Sequence, residues 1–206
     1  MNGLFVHRIG IVHRIGDRLS PAELSAARLD GHVVELGEAY VPADLVETAA
    51  LRALSLATVL PRSEGVAFAG MSAAWIHGAG DAPPRVHEIQ SASGRRLRSA
   101  PVTRLIVHDV ALGHHDVRRI GTVAVASPER TLIDLLRWPP TVPERAVWAR
   151  ALAEADPTLV TRILTRAEVD GRGPGMDRVR AFLRARGAPA TPAATPVRRG
   201  QEDVTR

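Results

Sequence analysis

Residues 66–136 constrain the fold more than any other stretch of the chain. The stretch opens with VAFAGMSAAWIHG (66–78), passes through a basic turn SGRRLR (93–98) and closes with GTVAVASPERTLIDLL (121–136). Short β-forming runs alternate with helical patterns that begin at good caps. That alternation predicts a small helix, several strands and a capped helix around one core, in an α/β (α+β) fold. None of these pieces sets a nucleophile beside a base, or metal ligands at metal spacing. A binding or regulatory role is therefore expected before an enzymatic one.

The flanking segments extend this pattern. Residues 1–18 contain VHRIG twice, at 6–10 and 12–16, and read as an irregular basic arm bearing Arg8, Arg14 and Arg18. Ser20, Pro21 and Glu23 make a helix start with capping-box spacing, and the helix stops at Asp30–Gly31. HVVEL (32–36) and AYVP (39–42) flank Gly37–Glu38 as a hairpin. A helix is expected over 44–60, beginning at Asp44, and a second over 71–78. Strands are expected at 66–70 (or a lead-in to the next helix), 85–90, 102–110 and 122–126, with 111–120 as a partly extended loop. Ser127, Pro128 and Glu129 start a helix whose inward face is Thr131, Leu132, Leu135 and Leu136. Helices over about 142–155 and 157–168, a glycine hinge at 171–175 and an amphipathic helix over 177–187 follow. The Ala, Thr and Pro-rich residues 188–206 have little to bury and are expected to be a disordered tail.

Composition removes several chemistries. There is no cysteine, so disulfides and thiolate metal sites are out. All 27 basic residues are arginine, so no lysine exists for a Walker A loop or a Schiff base. Arginine forks suit phosphate and guanine edges, and the net charge of +5 is compatible with nucleic acid. No membrane span and no signal peptide are expected, which makes the cytoplasm the expected compartment.

The polar residues that stand out have ordinary structural readings. Trp75 is expected in the core and His77 at the end of its helix. In RVHEIQ, Glu88 is the lone carboxylate, with His87 and Gln90 nearby, which is too little for a two-metal centre. His108, Asp109, His114, His115 and Asp116 are the most metal-like cluster, yet they lack the helical His-Glu-x-x-His arrangement. Ser72 and Ser127 read as helix-starting residues. The expected catalytic, cofactor and metal sites are none.

Taken in order, LSPAELSAARLDGHVVELGEAYVP (19–42), SAAWIHG (72–78), SGRRLR (93–98), the strand and SPERTLIDLLR unit (123–137) and GRGPGMDRVRAFL (171–183) resemble the AbiEi-type antitoxin and transcriptional-regulator family in its actinobacterial form. The resemblance implies a partial winged helix-turn-helix over 19–43, an α/β domain over 44–187 with a small mixed sheet, and a helical C-terminal part. It implies binding to double-stranded operator DNA and action against a nucleotidyltransferase-like toxin in a type IV system, with no small-molecule substrate. The winged helix is partial because the 19 residues ahead of Ser20 are short for the two helices that precede a reading helix. The residues expected to meet DNA are Arg18, Ser25, Arg28 and His32 on the arm, helix and hairpin, with Arg95, Arg96 and Arg98 on the basic turn. The alternative is a non-catalytic, nucleotidyltransferase-like domain that acts through protein contact without DNA.

Overall fold

A computed structural model describes residues 19–61, 65–91, 104–110, 112–138, 142–165 and 174–187. The VHRIG arm, the SGRRLR turn, most of the glycine hinge and the C-terminal tail lie outside these residues, and with them Arg18, Arg95, Arg96 and Arg98. The chain is a mixed α/β fold with a helix–hairpin unit in front.

The N-terminal unit is α1 (Pro21–Leu29) followed by β1 (Val33–Leu36) and β2 (Ala39–Pro42). Ser20 and Glu23 close the capping box in both directions. The hairpin pairs antiparallel with Leu36 opposite Ala39, so only Gly37 and Glu38 form the turn. Gly37 has φ 59°, the positive value that the first central residue of a II′ turn needs. A Cβ there would also overlap Ser55 and Leu56, so this turn lies tight against the next helix.

That helix, α2, spans Ala49–Leu56 rather than the expected 44–60. The Ala43 N–H donates to the His32 carbonyl (3.0 Å) and the Leu45 N–H to the Pro42 carbonyl (3.2 Å), which commits this stretch to leaving the hairpin. Thr48, not Asp44, caps the helix by accepting the Leu51 N–H. Leu51 and Leu54 of α2 pack on Ala39 and Val41 of the hairpin, while Ala53 and Leu56 face the larger sheet.

The larger sheet has five strands in the order β5 (Leu105–His108), β4 (His87–Ser91), β3 (Val66–Phe68), β7 (Val123–Ala126) and β6 (Val117–Ile120). β3 runs antiparallel to β4 and parallel to β7. β4 and β5 are parallel, and β6 is antiparallel to β7. β6 replaces part of the expected loop over 111–120: VRRI exposes the adjacent Arg118 and Arg119 on a sheet edge, joined to β7 through Gly121–Thr122. A charged edge strand resists pairing with other chains.

The helices α3 (Gly70–Ile76), α4 (Pro128–Arg137), α5 (Glu144–Ala155), α6 (Leu159–Leu164) and α7 (Met176–Gly187) complete the fold. Phe68, Ile89, Val123 and Val125 form one core with α2 and with Trp75 and Ile76 of α3. Met71, Ala74, Leu132, Leu135, Leu152, Ile163, Val179 and Leu183 form a second core among the helices. α3 therefore joins the two cores, and Trp75 is fully buried, as expected. Arg52 of α2 donates to the carbonyls of Trp75 (2.6 Å) and Gly80 (3.2 Å), which satisfies backbone at the end of α3.

Candidate functional site

The strongest polar feature is a layer buried beneath β4. Successive side chains of a strand alternate between faces. Ile89 joins the core under α2, so Glu88 and Gln90 point the other way, toward the helices. Gln90 donates to Asp134 of α4 at 2.8 Å. Glu88 pairs with Arg145 of α5 and accepts the Met71 N–H at 2.9 Å. Gly70 makes room for this: φ is 48°, and a Cβ would overlap the Glu88 carboxylate and the Trp138 ring.

Glu88 is enclosed by cationic and ring partners in this setting. The His108 ring lies 3.7 Å from its carboxylate and stacks on Trp138, with centroids 3.5 Å apart. The Arg145 guanidinium sits 5.1 Å from the Trp138 ring. Burial pushes the Glu88 carboxyl up, but His108, Arg145 and the Met71 N–H together bring it below its ordinary value. It is an ionised carboxylate held by a buried cation.

The neighbouring carboxylates are matched in the same way. Arg130 donates to both oxygens of Asp134 at 3.0 Å and to Asp116 at 2.9 Å. Burial raises the Asp134 pKa, against the opposing pull of Arg130 and Gln90. Glu129, buried at the start of α4, accepts from Arg162 at 2.7 Å. Asp116 also takes the Gly113 N–H (3.0 Å), so it belongs to this network, while His114 and His115 lie exposed and edge-to-face with each other. Among the described residues no group of three His, Asp or Glu side chains could hold a metal ion.

A second polar line runs from the hairpin turn into the sheet. Glu38 lies 3.1 Å from Nε2 of His87 and 3.2 Å from the Arg104 guanidinium. His87 Nδ1 lies 3.5 Å from the Ser72 hydroxyl, which accepts the Glu88 N–H at 2.9 Å. Ser72, His87 and Glu38 thus stand in the order of a nucleophile, a base and its orienting carboxylate, a juxtaposition that the sequence does not reveal. Ser72 is 0% exposed and His87 1%, so neither the hydroxyl nor the ring reaches solvent. Burial lowers the His87 pKa, which leaves a neutral ring whose Nε2–H donates to Glu38. The line fastens the hairpin to the sheet. Ser72 is not the helix start that its sequence suggests: Ala69 occupies the cap position. His77 does cap α3, and its Nε2–H donates to the Ala126 carbonyl at 2.7 Å.

The DNA candidates within the described residues, Ser25, Arg28 and His32, all belong to the helix–hairpin unit. Leu24 is buried and Arg28 pairs with Glu35 of β1 at 3.1 Å, both side chains 56% exposed. Leu24 and Arg28 are one turn apart, so they define the face of α1 that covers the hairpin. Ala22, Ser25, Ala26 and Leu29 then form the outward face, a strip without charge. His32 is exposed at the open end of the hairpin. The hairpin turn, where a wing would reach for DNA, is the end tied to Ser55, His87 and Arg104.

Charge sharpens this picture. Residues 19–48 hold one arginine, Arg28, against Glu23, Asp30, Glu35, Glu38, Asp44 and Glu47, a formal charge of −5. With +5 overall, the rest of the chain carries +10. The expected reader over 19–43 holds Arg28 against Glu23, Asp30, Glu35 and Glu38, a formal charge of −3, so the basic excess lies elsewhere. Among the described residues no helix is long and apolar enough to cross a membrane. The chain matches no known family model and no curated protein at a significant level. Its fold and polar layer define a mixed α/β protein whose buried carboxylates are charge-matched by arginines.

Proposed function

We propose that this chain is a non-catalytic regulatory protein of the antitoxin kind, and that its helix–hairpin unit meets a partner protein rather than duplex DNA. The observation that carries this reading is the charge of −5 over residues 19–48, the helix–hairpin unit (−3 by itself) with the segment that leaves it, around an uncharged outward strip. Duplex DNA releases counterions only to cationic surfaces, and an anionic one is repelled. Single-sign surfaces with an apolar centre suit a protein partner of the opposite sign. The arginine-matched carboxylates support the non-catalytic part: Glu88, Asp116, Glu129 and Asp134 each have a guanidinium partner, so none stands ready as a general base.

The test is co-expression with the product of the adjacent reading frame, a nucleotidyltransferase-like toxin on this reading. Size-exclusion chromatography with light scattering gives a joint peak. Leu29→Glu should abolish it, while Arg28→Ala leaves it intact. A joint peak that survives Leu29→Glu, or growth inhibition that the protein does not relieve, refutes the reading.

The +10 carried outside residues 19–48 favours a second reading, DNA contact through Arg18, Arg95, Arg96 and Arg98. Replacing Arg95, Arg96 and Arg98 by glutamine then removes binding to the protein's own upstream duplex, and Arg28→Ala does not.

A further inference from the structure

The two edges of the larger sheet differ in chemistry. β6 closes one edge and exposes Arg118 and Arg119. β5 closes the other, and its sequence, Leu105, Ile106, Val107 and His108, holds no arginine, carboxylate or proline. Ile106 is 44% exposed and Val107 39%. Among the described residues no strand pairs with the outer side of β5. An uncharged apolar edge is a template for a further strand, and charge is one of the usual guards against that.

The backbone of β5 defines what such a strand would meet. The Arg104 carbonyl accepts the His87 N–H at 2.8 Å, so the bonding groups of Arg104 turn toward β4. Bonding groups alternate in direction along a strand, so those of Ile106 also face β4, while those of Leu105 and Val107 face outward. In the parallel ladder Ile106 lies beside Glu88, and Leu105 and Val107 lie beside His87 and Ile89. Ile106 therefore shares the face that Glu88 turns to the helices, and Leu105 and Val107 share the opposite face.

We propose that β5 pairs antiparallel with β5 of a second copy of the chain, about a two-fold axis at Ile106, which joins the two five-stranded sheets. Such an axis passes between identical residues, so either Ile106 or Val107 must face itself. With the axis at Ile106, the outward groups of Leu105 exchange both hydrogen bonds with the partner's Val107, and those of Val107 with the partner's Leu105. Ile106 then meets the partner's Ile106 as a non-hydrogen-bonded pair, where side chains come closest. With the axis at Val107, Leu105 would instead face the partner's Asp109, which leaves an apolar side chain against a charge. The ends also match. Arg104 and Asp109 flank the strand and are both exposed, and the antiparallel arrangement brings the Arg104 end of one copy to the Asp109 end of the other. This match of the edge with itself, in side chains and in sign, commits it to a second copy. The strand is short, so the contact is small and association depends on concentration. β5 is not part of the helix–hairpin unit, so this pairing stands or falls separately from the reading above.

The chain has no cysteine, so a single introduced thiol reports the register. Full-length Ile106→Cys should form a disulfide-linked dimer under mild oxidation at least tenfold faster than Val107→Cys. The reason is that non-hydrogen-bonded antiparallel partners stand about 4.5 Å apart at Cα, within disulfide range. The two sites are similarly exposed, so random collision would give equal rates. Equal rates, or faster linkage at Val107, would overturn the proposal. Light scattering on the cysteine-free protein is the second readout. The wild-type mass should rise toward that of a dimer between about 10 µM and about 500 µM. Ile106→Lys should stay monomeric with an unchanged far-ultraviolet spectrum, and an equimolar mixture of Ile106→Lys and Ile106→Glu should dimerise again, because opposite charges then face each other. A dimer that Ile106→Lys leaves intact would overturn the proposal. So would a wild type that stays monomeric throughout, which would leave the edge to a strand of another protein.

Discussion

Arg145→Met should destabilise the protein by about 3–5 kcal/mol at neutral pH, the usual result of stranding one member of a buried ion pair. Arg145 and Glu88 are 8% and 4% exposed, so water cannot replace the lost guanidinium. A pair at about 4 Å in an effective dielectric of about 20 interacts by roughly 4 kcal/mol. The Met71 N–H and His108 remain on the carboxylate, which places the expected loss near the lower end, about 3 kcal/mol. For a chain of this size that is a fall in Tm of roughly 6–12 °C. Glu88→Gln/Arg145→Met should recover most of the loss, because no charge is then left buried. Urea unfolding with linear extrapolation measures each variant.

The pH dependence supplies an independent check. The folded Glu88 carboxyl lies below its ordinary value of 4.5. Its contribution to wild-type stability is therefore fully present above pH 4.5 and is lost as pH falls through the folded pKa. In Arg145→Met the burial that pushes this carboxyl up is opposed by His108 and the Met71 N–H but no longer by the guanidinium. The gap between variant and wild type should then narrow as pH falls from 7.5 toward 4.5. A loss below about 1 kcal/mol, a gap that stays constant with pH, or a double variant as unstable as the single one would refute this reasoning.

Other consequences follow from the turns and caps. Gly121→Ala, with open space around its Cβ position, should cost only the left-handed backbone penalty of about 1–2 kcal/mol. Gly37→Ala should cost at least about 1 kcal/mol more, because its Cβ also strikes Ser55 and Leu56; equal costs in thermal melts would mean the hairpin is not seated on α2. Ser127→Ala should lose about 1 kcal/mol through the freed Arg130 N–H, read as a lower urea midpoint at unchanged slope.

Local chemistry was readable before the structure, and distant partnership was not. The capping box at Ser20, the Gly37–Glu38 turn and the Ser127 cap act over three or four residues and leave a direct trace in the sequence. The start of α2 did not, because Ala43 and Leu45 are held by the hairpin behind them rather than by their own preferences. β6 was hidden by its arginines, which belong on an edge but read as solvated loop. For the site, Glu88 stood out as a carboxylate in a strand, yet its partner Arg145 is 57 residues away and sits on an unremarkable helix face. The one local clue was the polar pair Glu88 and Gln90, two apart on a buried strand, which demands buried partners on that face. The line from Ser72 through His87 to Glu38 joins three elements and leaves no spacing signal at all.

The charge of the helix–hairpin unit is the point on which the functional account rests, and fluorescence anisotropy on the protein's own upstream duplex tests it. Titrations at 50 mM and 200 mM salt yield an affinity and a salt slope. The account predicts that Arg28→Ala and Ser25→Ala change neither quantity, whatever binding the rest of the chain provides. A weakened affinity with a slope reduced by about 0.9 in Arg28→Ala would identify a phosphate contact on α1 and contradict it.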